Sequence, residues 1–376
     1  MPRYHLDNIY RLGVKELWSL WRDPMMLFLI IYTFTLAIYV AGTAMPENLH
    51  NAAIAIVDED ASALSTRITS AFYPPQFNPP QRIELNEVDA VMDSGRYTFV
   101  LVIPPNFQRD VLAGKAPKLQ LNIDATRMSQ SFTGNGHIQQ IVLGEINEFV
   151  QRHRAPASLP VELVMRARFN PSLTPMWFGS LMEVVNSVTL LSVILAGAAL
   201  IREREHGTIE HLLVMPVTPL EIMLAKVWSM ALVVLLAVLT SLTLVIQGIL
   251  KVPIDGSVAL FMVGAALHLF ATTSMGIFMA TLVRSMPQFG LLLMLTMLPL
   301  QMLSGGVTPR ESMPVWVQHL MSLSPTTHFT ELAQAILYRG GGLEVVWSSF
   351  LALILIGAAL FAVSLGRFRK TIALMQ

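Results

Sequence analysis

Six stretches of this chain run apolar for long enough, or nearly so, to cross a bilayer core, which takes about 20 residues of helix. They are Met25–Ala44, Phe178–Ile201, Met223–Leu250, Val258–Val283, Gln288–Leu303 and Val346–Gly366, the fifth being the shortest. Between the third and fourth, Lys251-Val-Pro-Ile-Asp-Gly256 has Pro and Gly where a tight hairpin needs them. The pattern predicts a mainly α-helical membrane protein with six transmembrane helices, the first over residues 25–44 and the rest within 177–376.

Residues 45–176 follow a different rhythm. Ala52–Val57 is a short apolar run stopped by Asp58-Glu-Asp60, Tyr97–Ile103 is rich in β-formers, and Lys118–Asp124 alternates polar and apolar positions; all three read as strands. Ser62–Phe72 and Ile138–His153 read as helices. The mixture predicts an α/β domain inserted between the first two spans, large enough for its own core.

Two flanking segments are amphipathic. In residues 1–24, Ile9, Leu12, Leu17, Leu20 and Trp21 fall near one helical face, with Arg11, Lys15, Glu16 and Arg22 largely off it. That predicts a helix lying in the membrane interface. In 304–345, Ser304-Gly-Gly306 and Pro309 break the helix, and Val315–Ser322 and Thr330–Tyr338 read as short amphipathic helices. Irregular backbone at membrane depth survives only under protein or beside a cavity, so a re-entrant or capping segment is expected.

Composition agrees with the pattern. Hydrophobic residues make up 53% and charged residues 13%, against about 25% charged in soluble domains. The net charge is zero, which gives no basis for binding nucleic acid, and the absence of cysteine excludes disulfides, zinc–thiolate sites and a Cys nucleophile. The 22 methionines suit surfaces that accept varied apolar ligands, but plain packing of membrane helices explains them more simply. Arg3, Arg11, Lys15 and Arg22 precede the first span, Arg202, Arg204 and Lys226 flank the loop after the second, Arg284 lies between the fourth and fifth, and Arg367, Arg369 and Lys370 follow the sixth. All fall on the cytoplasmic side if both termini are there, whereas the opposite short segments carry only Lys251, Arg310 and Arg339. The first apolar run is too long for a cleavable signal and reads as an uncleaved anchor.

The most informative polar stretch is the loop at 202–222. It packs alternating charges beside a span end, then a short apolar-faced segment that Pro216 stops. A short helix at the membrane surface that takes a push from a soluble partner would have this form; a solvated, salt-bridged loop would too. Within the spans, Glu183 and Asn186 are i and i+3 on one face, as a substrate path or subunit interface requires, although Glu183 also lies close enough to a span end to reach water. Lys226 sits near the inner end of its span and is expected to snorkel. His268, Gln247 and Gln301 are explained by hydrogen bonds between helices. No catalytic residues, metal cluster or paired carboxylates stand out.

Glu203-Arg-Glu-His-Gly-Thr-Ile-Glu210, followed by Leu212-Leu213, Pro216 and Glu221-Ile222, resembles the hallmark of type-2 ABC exporter permeases, the membrane subunits of drug, polysaccharide and lipid exporters. The likeness extends over essentially the whole chain: Ala55-Ile-Val-Asp58 and Ser62, Leu303-Ser-Gly-Gly306 with Pro309 and Met313-Pro314, then Pro325-Thr-Thr-His-Phe329 and Gly340. It implies a bacterial inner-membrane permease with a periplasmic 45–176 domain and no cofactor of its own, ATP and Mg being held by cytoplasmic ATPase subunits. It implies pairing with a second permease copy or paralogue, and a periplasmic membrane-fusion adaptor often accompanies such permeases. Glu203, Arg204, Glu205, Gly207, Thr208, Glu210, Leu213, Pro216 and Glu221 would carry the coupling to the ATPase. Leu303-Ser-Gly-Gly306 spells most of the ATPase signature motif, but it ends an apolar span and no phosphate loop accompanies it, so it is expected to be a helix break. The competing readings are a membrane-anchored periplasmic binding or sensing protein, for which six spans are more than an anchor needs, and a lipid-modifying enzyme, for which an acid pair or His/Asp site is missing.

Overall fold

The computed structural model describes residues 6–43, 51–124, 128–151, 175–205, 207 and 216–373. They form two compact units, Met1–Met45 with Ala167–Gln376, and Pro46–Arg166. In chain order the elements are α1 (Leu6–Trp21), α2 (Pro24–Thr43), β1 (Ile54–Asp58), α3 (Ala63–Ser70), β2 (Gln81–Arg82), α4 (Val88–Asp93), β3 (Phe99–Ile103), α5 (Phe107–Leu112), β4 (Gln120–Ile123) and α6 (Met128–Gln151). They continue with α7 (Pro175–Glu205), α8 (Pro219–Ile249), α9 (Val258–Leu282), α10 (Met286–Met302), α11 (Val315–Met321), α12 (Pro325–Ala333) and α13 (Leu343–Ala373).

Five of these helices, α2, α7, α8, α9 and α13, are long and apolar enough to span a membrane. The fifth apolar run forms α10, a helix of only 17 residues that stops at Met302. Local chemistry sets the starts. Asp23 Oδ1 accepts hydrogen bonds from the amides of Met25 and Met26 ahead of α2, with Pro24 in the first turn. Thr218 and Glu221 close a reciprocal capping box around Pro219 at the head of α8. Thr33–Ala37 in α2 and Ser241–Ile249 in α8 widen to π-helical turns, as does Gln334–Tyr338 after α12.

Helix α7 is the hub of this unit and the most buried of its five long apolar helices. It meets α9 closely where Gly276 faces Val193; a Cβ on Gly276 would lie 2.5 Å from the Val193 carbonyl oxygen. Small residues allow this approach, which lets backbones pack without a side chain between them. One core cluster gathers Leu200 and Ile201 of α7, Ile222 and Val227 of α8, Ala280 of α9, Phe289 of α10 and Phe368 of α13. The end of α7, the starts of α8 and α10 and the end of α13 therefore share one level.

The second unit is a four-stranded sheet, order β2-β1-β3-β4, parallel except for β4. Its central strands are buried on both faces. Ile54, Ile56, Phe99 and Leu101 pack with Leu64, Ile68 and Ile138, while Ala55, Val57, Val100 and Val102 pack with Val88 and Tyr97 on the other face. Asp58 terminates β1 by accepting from the amides of Asp60 and Ala61, and Ser62 caps α3. On the helical face, Arg67 of α3 pairs with Glu145 and Glu148 of α6.

Candidate functional site: a charged hub at the end of α7

The four charged residues that finish α7 each reach a different neighbour. Arg202 pairs with Asp23 Oδ2, the oxygen left over from capping α2. Glu203 is 9% exposed. Its Oε2 lies 2.7 Å from Lys226 Nζ on α8, and its Oε1 lies 2.6 Å from Lys15 Nζ on α1. Lys226 also reaches Glu16 Oε1 at 3.0 Å, and Lys15 approaches the same oxygen at 3.4 Å. Lys226, Glu203, Lys15 and Glu16 thus close a ring of alternating charge. The guanidinium of Arg204 donates to the carbonyls of Ala280, at 3.2 Å, and Val283, which the end of α9 leaves without helical partners. Glu205 Oε1 accepts the first amide of α10, from Met286, at 3.0 Å.

Helix α1 is held to α8 along its length. Trp228 Nε1 donates to the Ile9 carbonyl at 3.2 Å, Tyr10 stacks on the Trp228 ring, and Asn8 Nδ2 donates to Glu221 Oε1 at 3.3 Å. Gly13 lets the two helices meet, since a Cβ there would fall 2.1 Å from the Trp228 ring.

One sequence expectation needs correction here. Lys226 does not snorkel: it is 1% exposed, because two carboxylates compensate its charge where it stands. The protein-facing side of α1 is Gly13, Glu16 and Leu20, and α8 offers an indole face and an ammonium there. Leu6, Tyr10, Trp18 and Trp21 are exposed.

The loop residues read from the sequence divide as follows. Glu203, Arg204 and Glu205 are engaged in the hub. Gly207 follows in a turn at φ +67°, a conformation that favours glycine. Glu221 is buried and holds Thr218. Pro216 is exposed where the chain re-enters α8. Thr208, Glu210 and Leu213, with the expected helix between them, lie outside the described residues. Sequence reasoning missed Lys15, Glu16, Asp23, Arg202 and Lys226 as a set. The available signal was a lysine one turn inside an apolar helix, with glutamates on two other segments predicted at the same depth.

Glu183 and Asn186 are both half-buried on α7, and Gln301 Nε2 of α10 approaches the Asn186 carbonyl at 3.5 Å. His268 is fully buried, its Nε2 2.8 Å from Thr189 Oγ1 and its ring stacked on Phe329, with Ser192 bonded to Thr272 below it. These bonds join α7, α9 and α12. Gly305, at φ +95°, turns the chain after α10, and a Cβ on Gly306 would meet Met182 at 2.7 Å. Turn geometry and packing account for both glycines of the signature-like motif.

Residues 23–365 match the family described as ABC-2 family transporter protein. The chain belongs to the ABC-2 transporter family. This permease is 60% identical over 371 residues, 99% of each chain, to the inner membrane transport permease YhhJ of Escherichia coli K12. It is 28% identical over 374 residues to the protein named "Probable multidrug ABC transporter permease YbhR" of the same strain, covering 97% of this chain and 99% of that one. To the similarly named YbhS it is 25% identical over 344 residues, 90% of each. The chain is thus a multi-pass membrane subunit of an ABC transport system, the transporting rather than the catalytic part.

Proposed function

We propose that this permease is the membrane half of an ATP-driven exporter of amphipathic, drug-like compounds, placed in the bacterial inner membrane with both termini cytoplasmic and the 45–176 domain in the periplasm. A separate cytoplasmic ATPase binds ATP and Mg and docks on the 202–222 loop. A second permease copy or paralogue completes the pathway, and a periplasmic adaptor extends it. The observation that carries this reading is the hub. A segment meant to receive force has to be joined to the helices it moves, and Arg202–Glu205, which open the loop, are joined to α1, α2, α8, α9 and α10.

The levels support a reading of six crossings, with α10 as the shortest. Helix α10 starts beside Glu205 and ends beside Asn186, 19 residues back along α7, or roughly 28 Å at 1.5 Å per residue. That is close to the ~30 Å hydrocarbon thickness. The half-buried Glu183 and Asn186 would then face the substrate path or the partner permease near the outer leaflet, beneath the 304–345 cap.

The test is efflux of an amphipathic dye from cells carrying the full transporter, together with co-purification of the ATPase. Glu210→Lys should abolish efflux and weaken ATPase capture, with the permease still inserted at normal levels. Normal efflux from that variant, or no ATPase recovered with the wild type, would refute the proposal.

A further inference from the structure

Beside the charge ring lies a cavity of about 290 Å³, bounded by α1, α7 and α8. Its floor is apolar, formed by Leu20, Ala199 and Met230; Lys15, Ser19 and Arg202 stand on its wall, with the ring carboxylates of Glu16 and Glu203 between them. The cavity sits at a membrane boundary. Helix α7 leaves its apolar run at Arg202, and α2 begins beside it at Pro24. The exposed Leu6, Tyr10, Trp18 and Trp21 give α1 the surface of a helix at headgroup depth. An apolar floor under a polar wall at this depth matches the glycerol end of a phospholipid.

Charge selects the headgroup. Lys15, Lys226 and Arg202 are balanced by Glu16, Glu203 and Asp23, so a net-anionic lipid would add an uncompensated charge. A quaternary ammonium has no N–H to donate to a carboxylate, whereas a primary ammonium has three. Lys15, its side chain 46% exposed, directs Nζ at two carboxylates and has a third proton to donate. We propose that the cavity binds the headgroup of a phosphatidylethanolamine-type lipid, with the phosphate on Lys15 and Ser19 and the ammonium toward Glu16 and Glu203. The volume admits a headgroup and leaves the acyl chains in the bilayer.

The test is native mass spectrometry of the full chain released from nanodiscs holding equal mole fractions of phosphatidylethanolamine, phosphatidylglycerol and phosphatidylcholine. One phosphatidylethanolamine should stay bound through activation about fivefold more often than either competitor. Ser19→Trp, at an exposed position on the wall, should reduce that retention about fivefold, and Ala199→Leu should do the same from the floor. Leu351→Trp, on the exposed surface of α13, should leave it unchanged. Equal retention of the three lipids, preference for phosphatidylglycerol or phosphatidylcholine, or retention that neither cavity variant reduces would overturn the proposal.

Discussion

Lys226 and Glu203 stand 2.7 Å apart on neighbouring long helices, the lysine 1% and the glutamate 9% exposed. Each is the reason the other can be buried. Removing one partner of a buried pair typically costs about 3–5 kcal/mol, because the survivor keeps its desolvation penalty, while replacing both can be nearly neutral. Lys226→Met should therefore lower the unfolding temperature in detergent sharply. Lys226→Met with Glu203→Gln should recover most of the loss, since Lys15 and Glu16 remain as a pair. Fluorescence-detected size-exclusion melting reads this, and equal melting of the single and double variants would contradict it.

Gly13 has no room for a methyl group. Its Cβ would enter the Trp228 ring at 2.1 Å, an overpacking of the kind that costs about 1–3 kcal/mol. Gly13→Ala should loosen α1 from α8 and speed proteolysis within residues 6–21. Adding Trp228→Ala should reverse the steric part, although it removes the bond to Ile9. Proteolysis of Gly13→Ala at the wild-type rate would show that α1 is not docked through this contact.

Arg204 satisfies both carbonyls at the α9–α10 corner from a single terminal guanidinium nitrogen, Nη2. Arg204→Met should raise hydrogen exchange over residues 283–290 by about tenfold, the loss of ~1.4 kcal/mol of local stability.

Gly276 sets the spacing between α7 and α9. Gly276→Leu would push a side chain into the Val193 backbone and should lower the yield of folded protein severely, with Gly276→Ala intermediate. By contrast Gly290, with nothing within 4 Å of its Cβ position, should accept alanine freely. A similar melting temperature for Gly276→Ala and Gly290→Ala would refute the distinction.

Much of the helical architecture is legible in the sequence, because lipid imposes one strong signal: long apolar runs become helices. The runs Met223–Leu250 and Val258–Val283 each end one residue past the helices they predict, Pro219–Ile249 and Val258–Leu282. The strands at Ile54–Asp58 and Phe99–Ile103 were equally readable, being apolar runs stopped by acids or prolines. Less was readable where tertiary contacts decide. The two-residue strand Gln81–Arg82 exists only because β1 offers an edge, and α12 starts at Pro325, five residues before its amphipathic pattern becomes visible. The hub was half legible. Arg202–Glu205 stood out as a charged run, but their partners come from five other elements, and no local period links Glu16 to Lys226.

The charge ring has an electrical consequence. Two ammonium and two carboxylate groups carry no net charge, so a rigid displacement of the ring along the membrane normal does no work against the membrane potential. A single unpaired charge crossing the full field would cost about 2.3 kcal/mol per 100 mV. The ring itself therefore adds no voltage dependence to a movement of the joint between α1, α7 and α8.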